Sequence, residues 1–528
     1  MRRPPAPVPA AALAAFTLLT ACTLLTACTL LTACTGAADE DRGDTGAPRP
    51  GTLRVLASSE LSDMEPVFEQ VEKDTGVTLR PTYTGTLDAV DLLAEGKADS
   101  RYDAVWLASN DYLRLNPAAE KKVVSQTPVM SSPVAIGVEE SVVGKLGWKP
   151  AEVTWSDIDR AVRDGGLTYG MTDPARSHSG FATLVSVASA LSGAQSALTD
   201  ADVAKARPKL KEFFGGQQLT SGSSGWLASA YARRGDVDAL LNYESVLEGI
   251  KGLTVIRPKD GVVTADYPLS SLAATDAATR EDVRRVAGAL RSNAVQRLIT
   301  DRTLRRPVVP GVEPAAALDD GRRRELPFPG SLSVAEGLLD SYRNELRRPS
   351  RTVYVLDTSG SMEGDRLDRL KTALTGLTGD FREREEVTLM PFGTEVKSVR
   401  THVVGPDDPE KGLAAIRRDA GRLSASGDTA IYSSLEQAYA RLGGGEDTFA
   451  SIVLMTDGEN TAGPGAGAFE DFHAGLPDGQ AGIPVFPVLF GDSDRTELEG
   501  IAELTGGRLF DARQGSLDGA FKEIRGYQ

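Results

Sequence analysis

The chain has 528 residues, of which 41% are hydrophobic and 25% are charged, a composition typical of a folded protein of about three domains. The formal net charge of −16 argues against a nucleic-acid partner, because binding to phosphates requires a basic surface. All three cysteines lie at or before Cys34 and the three histidines are far apart in sequence, which excludes cysteine catalysis and thiolate zinc sites beyond that point and argues against a multi-histidine metal centre.

The first 34 residues have the layout of a secretory signal, with two arginines ahead of an apolar stretch over 10–33. Within that stretch the segment Thr-Leu-Leu-Thr-Ala-Cys occurs in tandem and ends at Cys22, Cys28 and Cys34. Leu-Thr-Ala-Cys resembles the lipobox of bacterial lipoproteins, in which the cysteine receives diacylglycerol and becomes the mature N-terminus. The resemblance implies an exported protein anchored by lipid to the outer face of the cytoplasmic membrane. An uncleaved transmembrane helix is the alternative.

The polarity of the remaining chain bears on which cysteine is lipidated. Cleavage before Cys22 leaves two apolar repeats at the membrane, whereas cleavage before Cys34 leaves a wholly polar start. We therefore favour Cys34 and keep Cys22 and Cys28 as alternatives. Residues 35–50 are polar and contain Gly and Pro, which predicts a linker.

From residue 51, short apolar segments alternate with segments of helical spacing. We predict strands at 53–57, 77–80 and 102–107, with helices at 64–71 and 87–94 between them. This alternation favours a parallel sheet covered by helices, and ligands of such sheets bind beyond the carboxyl ends of the strands.

Several segments of this region are similar to the type 2 periplasmic solute-binding proteins. Residues 129–138 resemble the strand that crosses into the second lobe, 173–180 resemble a second-lobe ligand loop, and 235–245 resemble a late strand with its following loop. The resemblance covers 51–345. It implies a first lobe at about 51–132 and 266–345, a second lobe at about 133–265, and a small solute or an oxyanion bound between them.

Hydroxyl-rich loops in this region supply the candidate solute contacts. Most of them directly precede predicted helices, whose N-termini present free N–H groups and a partial positive charge suited to an oxyanion or a carboxylate. The alternative is that each hydroxyl only caps its own helix. Because charged residues are few in these loops, we expect a neutral, hydrogen-bonding cleft. The candidates are Ser58, Ser59, Thr86, Ser109, Ser131, Ser132, Ser177, Ser179 and Tyr243.

The C-terminal third contains three separated segments that offer oxygen ligands. Asp357-Thr358-Ser359-Gly360-Ser361 follows an apolar strand, Gly427-Asp428-Thr429 precedes a predicted helix, and Met455-Thr456-Asp457-Gly458 ends another apolar strand. Hard divalent cations prefer carboxylate and hydroxyl oxygens of this kind. The alternative is that these residues serve only as helix caps and turns.

The order and placement of these segments resemble the metal-ion-dependent adhesion site of von Willebrand factor type A domains. The resemblance covers about 346–528 and implies a Rossmann-like, doubly wound, mostly parallel sheet behind the two-lobed α/β region. It implies that one Mg²⁺ or Mn²⁺ is surrounded by these loops, with one coordination position left for a carboxylate of a partner. The implied ligands are Asp357, Ser359, Ser361, Thr429 and Asp457.

These features predict a binding protein. We expect a cell-surface lipoprotein that binds a protein or another carboxylate-bearing partner through its metal site, with an accessory solute-binding region. The alternative is an extracellular solute receptor of an ABC-type transporter. We do not expect an enzyme, because the sequence offers neither a paired acid and base at a defined spacing nor a Ser/His/Asp order, and a Mg²⁺ site alone is not catalysis.

Overall fold

The computed structural model describes residues 51–235, 237–319, 321, 323–379, 381–443, 448–513 and 517–527, all within one compact unit, Pro48–Gln528. The predicted signal peptide, the predicted linker and the lipidation candidates Cys22, Cys28 and Cys34 lie outside the described residues. Within the described ranges, no helix combines the length and the apolar character needed to cross a membrane.

The N-terminal part of the described chain alternates strands and helices. Its strands are β1 (Gly51–Ser58), β2 (Val77–Thr84), β3 (Ala104–Trp106), β4 (Val123–Pro128), β5 (Ser132–Glu139), β6 (Tyr169–Thr172), β7 (Gln217–Ser221), β8 (Ala239–Tyr243), β9 (Leu253–Ile256), β10 (Thr264–Ala265) and β11 (Pro268–Leu272). Its helices are α1 (Glu65–Thr75), α2 (Thr86–Ala94), α3 (Asp111–Leu115), α4 (Pro117–Glu120), α5 (Glu140–Leu146), α6 (Trp155–Arg163), α7 (His178–Ser192), α8 (Asp200–Gly215), α9 (Ser224–Arg234), α10 (Glu244–Leu247), α11 (Ala277–Leu290), α12 (Asn293–Thr303) and α13 (Leu332–Ser341).

These strands form two sheets. The first has the order β2-β1-β3-β11-β4, with β1, β2 and β3 parallel and β11 antiparallel to both of its neighbours. The second has the order β10-β5-β8-β6-β7, with β9 beside β5. The chain passes from the first sheet to the second between β4 and β5 and returns between β10 and β11. The prediction of a two-lobed α/β fold is therefore confirmed.

A long segment after α12 runs back over the second lobe. Arg306 bridges to Ser131 through the backbone, and its guanidinium donates to the buried carboxylate of Glu244 at 2.6 Å. Further along, Glu325 pairs with Val262 in an isolated bridge. This segment places the neighbouring Arg305 at the space between the lobes.

The C-terminal domain is built on a third sheet of order β14-β13-β12-β15-β16-β17, in which only β14 runs antiparallel to its neighbour among the described strands. Its strands are β12 (Ser350–Asp357), β13 (Glu385–Phe392), β14 (Arg400–Val404), β15 (Phe449–Thr456), β16 (Val485–Leu489) and β17 (Phe510–Asp511). Its helices are α14 (Asp365–Leu377), α15 (Pro409–Gly421), α16 (Ile431–Leu442), α17 (Ala466–Ala474), α18 (Asp478–Ala481), α19 (Arg495–Thr505) and α20 (Leu517–Ile524).

Both faces of this third sheet are buried, which explains the uninterrupted apolar run of β12. Tyr354 and Leu356 belong to the core on one face, together with α14 and α20, whereas Val353 and Val355 belong to the core on the other face, together with α16 and α17. Successive side chains of a strand point to opposite faces, so each face receives every second residue. The predicted doubly wound, mostly parallel sheet is confirmed.

Candidate metal site and solute cleft

The first and third oxygen-rich loops leave the third sheet side by side. β12 and β15 are adjacent and parallel, with Leu356 opposite Met455, so Asp357 and Asp457 emerge at the same sheet edge. From β12 the chain continues to α14 on one face, and from β15 it continues to α17 on the other face. A crevice opens at such a reversal of winding, which is where ligands of open α/β sheets bind.

Asp357 is fully buried between these loops. Its Oδ1 accepts a hydrogen bond from the Ser359 amide at 2.8 Å, and its Oδ2 accepts one from the Thr456 hydroxyl at 2.6 Å. Burial raises the pKa of the Asp357 carboxyl above its usual range, and the nearby Asp457 adds to the rise, while the hydrogen bonds oppose it. Asp357 forms no salt bridge among the described residues, but Lys397 lies near enough to feel its charge: burial lowers the pKa of the Lys397 amine, and Asp357 opposes that fall.

A chain of hydroxyls links the first loop to the third. The Ser359 and Ser361 hydroxyl oxygens lie 2.9 Å apart, and the Ser361 hydroxyl donates to Asp457 Oδ1 at 2.8 Å. Asp457 is buried like Asp357. The structure therefore brings four of the predicted ligands into one hydrogen-bonded group.

The second loop reaches the same place through its backbone. Gly427 has a left-handed φ of +83°, a conformation that suits glycine, and its carbonyl accepts the Gly360 amide at 2.8 Å. Thr429 is buried, and its hydroxyl oxygen lies 4.0 Å from the point where a Cβ at Gly458 would sit. All the predicted ligands thus lie around one crevice.

Arg366 is a residue of this crevice that the sequence analysis did not single out. It lies in the first turn of α14, and its guanidinium donates to Asp457 Oδ2 at 2.5 Å and to Asp492 Oδ2 at 2.7 Å. Its position just after the first oxygen-rich loop was the only signal available in the sequence. Asp457 thus shares its carboxylate between a hydroxyl and a guanidinium.

The donor set of the crevice suits a hard divalent cation, because it combines hydroxyls with carboxylates, among them the buried Asp357, which forms no salt bridge among the described residues. No cluster of three or more His, Cys, Asp or Glu side chains is arranged to hold a metal ion in the described part of the chain. A metal ion held here would therefore depend on the serine and threonine hydroxyls as much as on the carboxylates.

A cleft of about 840 Å³ lies between the two lobes of the N-terminal part. Of the predicted solute contacts, Ser59 lines this cleft. Several others are buried and bonded to one another: the Ser58 and Thr86 hydroxyls lie 2.9 Å apart, and those of Ser177 and Ser179 lie 3.0 Å apart.

The remaining predicted contacts also have partners within the protein. The Ser109 hydroxyl accepts the Asp111 amide at 3.1 Å, and Ser132 donates to the Ser245 hydroxyl at 3.1 Å. Ser131 bonds through its backbone to Arg306, and the Tyr243 hydroxyl lies 2.7 Å from His178 Nδ1. Most of these hydroxyls therefore shape the loops around the cleft.

The lining of the cleft is charged, in contrast to the expected neutral cleft. Arg305 is buried and holds both carboxylate oxygens of Asp63, at 2.9 and 2.8 Å. Arg176 of the second lobe reaches Asp88 of the first lobe at 3.4 Å. Glu60 follows Ser59 directly in the chain and Arg176 precedes Ser177, so the sequence places these charges beside serine-rich loops without showing that they line the cleft. Arg305 comes from the segment after α12, far from those loops.

Glu60 is the most deeply buried acid of this lining. Burial raises the pKa of its carboxyl, and the Ser58 hydroxyl and Arg305 oppose the rise. Its Oε2 accepts the Ser58 hydroxyl, whereas its Oε1 lacks a hydrogen-bond partner among the described residues. A buried oxygen without a partner is costly, which favours a ligand group beside it.

Two family models match the chain. Residues 53–302 match a bacterial extracellular solute-binding protein, and residues 352–459 match a von Willebrand factor type A domain. Among curated proteins, an uncharacterized protein of Synechocystis sp. is 34% identical over 121 residues, and the human inter-alpha-trypsin inhibitor heavy chain H4 is 29% identical over 144 residues. These matches cover 23% and 25% of this chain but 28% and 15% of the relatives' own lengths.

Solved structures similar to the chain include periplasmic binding proteins. The protein AfuA of Actinobacillus pleuropneumoniae, with fructose-6-phosphate bound, is 14% identical with a TM-score of 0.46, and covers 56% of this chain and 99% of its own. The sulfate-binding protein SubI of Mycobacterium tuberculosis is 18% identical with a TM-score of 0.40, and covers 55% of this chain and 99% of its own.

Proposed function

We propose that this chain, which joins a bacterial extracellular solute-binding domain to a von Willebrand factor type A domain, is an exported protein that binds a carboxylate-bearing partner through Mg²⁺. The partner is a protein or another molecule that presents a carboxylate. Both domains act by binding in this account, and neither supplies a catalytic step.

The convergence of the oxygen-rich loops supports this proposal. Asp357, Ser359, Ser361 and Asp457 form one hydrogen-bonded group, with Thr429 beside them. These residues would hold Mg²⁺ or Mn²⁺. When bound, the ion would supply a positive centre with a coordination position open to an external carboxylate.

Calorimetric titration of the full chain with Mg²⁺ alone tests the site. We expect saturable binding to the wild type and at least about tenfold weaker binding to Asp357→Asn, because the variant loses a buried negative charge at the ion. Asp365→Asn is the matched control, since Asp365 lies exposed in the following helix turn. Equal affinity of Asp357→Asn and the wild type would reject the site.

The anchoring of the protein is part of the same proposal. We propose that Cys34, or alternatively Cys22 or Cys28, carries diacylglycerol and fixes the protein to the outer face of the cytoplasmic membrane. Mass spectrometry of the N-terminal peptide from membranes should show a lipidated cysteine. A mature protein without lipid, or one that keeps residues 1–21, would reject this proposal.

A second candidate function, a solute receptor of an ABC-type transporter, is favoured by the cleft between the lobes. Its volume of about 840 Å³ is in the range of small-molecule sites and far exceeds the needs of a bare oxyanion. Native mass spectrometry of gently purified protein tests this function. We expect a bound mass that is released on denaturation, and a ligand-free protein that also ignores a library of small metabolites would contradict it.

A further inference from the structure

The cleft between the two lobes has a third wall, which comes from the type A domain. Arg508, just before β17, and Tyr527, after α20, line the cleft together with residues of both lobes. A solute held in this cleft would therefore meet side chains from the C-terminal domain as well as from the solute-binding domain.

Tyr527 packs the type A domain against the second lobe. Its ring packs edge-to-face on Trp226 at 4.7 Å between centroids, and it also contacts Phe486 and Phe510 of the type A core. Trp226 packs against the cores of both domains. The approach is close, because a Cβ at Gly222 would lie 2.7 Å from the Tyr527 ring. This wall is thus fixed by packing on both sides.

Arg508 is oriented within that wall. Its guanidinium carbon lies 4.9 Å from the centre of the Phe510 ring and 5.3 Å from that of the Tyr527 ring, and it donates to the Tyr527 hydroxyl. Stacking on aromatic rings restricts the side chain, and a planar guanidinium suits contact with a carboxylate or a phosphate. Arg508 is only partly buried, so it keeps access to the cleft.

A second cationic group and a helix start lie on the same side of the cleft. Arg176 lines it from the second lobe, next to Gly526 of the type A domain, where an added Cβ would lie 3.2 Å from Arg176 Cγ. Ser223 caps α9, whose first residues also line the cleft. Two guanidinium groups and the N-terminal end of an eleven-residue helix all favour a negative group there.

The opposite wall offers hydrogen-bonding groups. Ser59, Ser62 and Thr84 of the first lobe supply hydroxyls, and Glu60 supplies the buried oxygen that has no partner among the described residues. Both carboxylate oxygens of Asp63 already accept hydrogen bonds from one guanidinium nitrogen of Arg305. The cleft therefore presents Arg176 and Arg508 on one side, whereas the guanidinium on the other side, that of Arg305, is already paired with Asp63.

We propose that the type A domain supplies Arg508 to the solute site, so that an organic anion with a hydroxyl-bearing body is held jointly by both lobes and by the type A domain. The acidic group of the solute contacts Arg176 and Arg508, and its hydroxyls face Ser59, Thr84 and Glu60. This inference rests on the solute-receptor function proposed above. It makes solute affinity depend on the seating of the type A domain.

Calorimetry of the full chain at low salt tests the inference with glucose 6-phosphate and gluconate as probes and neutral glucose as the uncharged control. We expect at least one of the two anions to bind and glucose to bind at least about tenfold more weakly, because it lacks the group that meets the guanidiniums. Tighter binding of glucose 6-phosphate would indicate a preference for phosphate, and tighter binding of gluconate a preference for carboxylate.

Variants assign the contact to the type A domain. Arg508→Gln should lower the affinity for the anion at least about tenfold and leave the affinity for glucose unchanged. Arg508→Lys keeps the charge, so its affinity for the anion should lie between those of Arg508→Gln and the wild type. Arg513→Gln is the matched control, because Arg513 follows β17 in the same domain, pairs with Asp511 and does not line the cleft. Equal thermal unfolding of the three variants shows that each remains folded.

Two results would overturn the inference. The first is the failure of both anions to bind the wild type, and the second is equal anion affinity of Arg508→Gln and the wild type. Native mass spectrometry separates this failure from that of the receptor function: a solute carried by the wild type and retained equally by Arg508→Gln leaves the receptor standing and removes only the role of the type A domain.

Discussion

Arg382 of the type A domain and Asp173 of the second lobe form an ion pair in which Nη2 lies 2.8 Å from Oδ2. The two side chains are only 8% and 0% exposed. Asp173 also accepts the Ala175 amide at 2.9 Å, so the pair fixes the turn that leads into α7. The C-terminal domain thus holds the loop that the sequence analysis assigned to solute binding.

Removing Arg382 should strongly destabilise the protein. Arg382→Met leaves Asp173 buried without its cation, and we expect a loss of about 3–5 kcal/mol in the free energy of unfolding. Urea unfolding followed by tryptophan fluorescence measures the loss. Arg207→Met is the control, because the Arg207–Glu345 pair is about half exposed and should cost only about 0–1 kcal/mol. Equal losses in the two variants would show that the buried pair does not secure the domains.

Gly222→Val should separate the type A domain from the second lobe. The nearest atoms to a Cβ at position 222 all belong to Tyr527, so the larger side chain displaces that ring and its contact with Trp226. Small-angle X-ray scattering should show a larger radius of gyration for the variant. Gly225→Ala, in the first turn of α9, has open space around the new Cβ and should scatter like the wild type. An unchanged radius for Gly222→Val would contradict the close docking of Tyr527.

Arg366→Gln should strengthen Mg²⁺ binding. The guanidinium of Arg366 holds Asp457, so the substitution removes both a competing partner and a nearby positive charge. The repulsion between two unit charges about 4 Å apart is about 1 kcal/mol in water, so its removal corresponds to roughly a fivefold gain in Mg²⁺ affinity. Calorimetry with Mg²⁺ alone measures it. Arg369→Gln removes a charge from the same helix, where the guanidinium stacks on Phe490 at 4.6 Å, and should have a smaller effect. Weaker Mg²⁺ binding by Arg366→Gln would contradict the interpretation that Arg366 competes with the ion for Asp457.

His178 should make the stability of the protein depend on pH. Burial lowers the pKa of its imidazole from 6.5 to about 4, and its Nδ1 lies 2.7 Å from the Tyr243 hydroxyl. Between those values the unfolded chain binds a proton that the folded chain does not, so stability is lost as the pH falls from 6.5 to about 4. The loss attributable to His178 is about 3 kcal/mol.

The comparison of wild type with His178→Gln isolates this effect, because glutamine does not titrate. Asp266 acts in the opposite direction: burial raises the pKa of its carboxyl to about 6, so its contribution is lost as the pH rises through that value. It contributes equally to both proteins and cancels in the difference. As the pH falls from 7 to 4, the free energy of unfolding should decrease more for the wild type than for His178→Gln. Parallel curves would contradict the buried, neutral state of His178.

The oxygen-rich loops of the type A domain could be predicted from sequence because their polar residues directly follow easily recognised apolar strands. The apolar run before Asp357 predicts a strand buried on both faces, as the structure shows, and the polar residues that follow such a strand are expected at a sheet edge. Arg366 could not be predicted in the same way. Its contact with Asp457 depends on how α14 is set against β15, which is decided by tertiary packing.

The cleft was harder to predict because its lining is assembled from distant segments. The sequence around a serine that precedes a helix is the same whether the hydroxyl faces a cleft or bonds to a neighbouring side chain. The hydroxyls of Ser177 and Ser179 bond to each other. Arg305 and Arg508 come from a connecting segment and from another domain. Local patterns carry no information on such long-range placement.

The central claim is that separate loops of the type A domain surround one divalent cation. Anomalous diffraction from crystals of the full chain grown with Mn²⁺ tests it most directly. We predict a single strong peak within roughly 2–2.5 Å of the Ser359 and Ser361 hydroxyl oxygens, as oxygen ligands of a hard cation require, with Thr429, Asp357 and Asp457 around it. A map without a peak between these loops, at saturating Mn²⁺, would contradict the account.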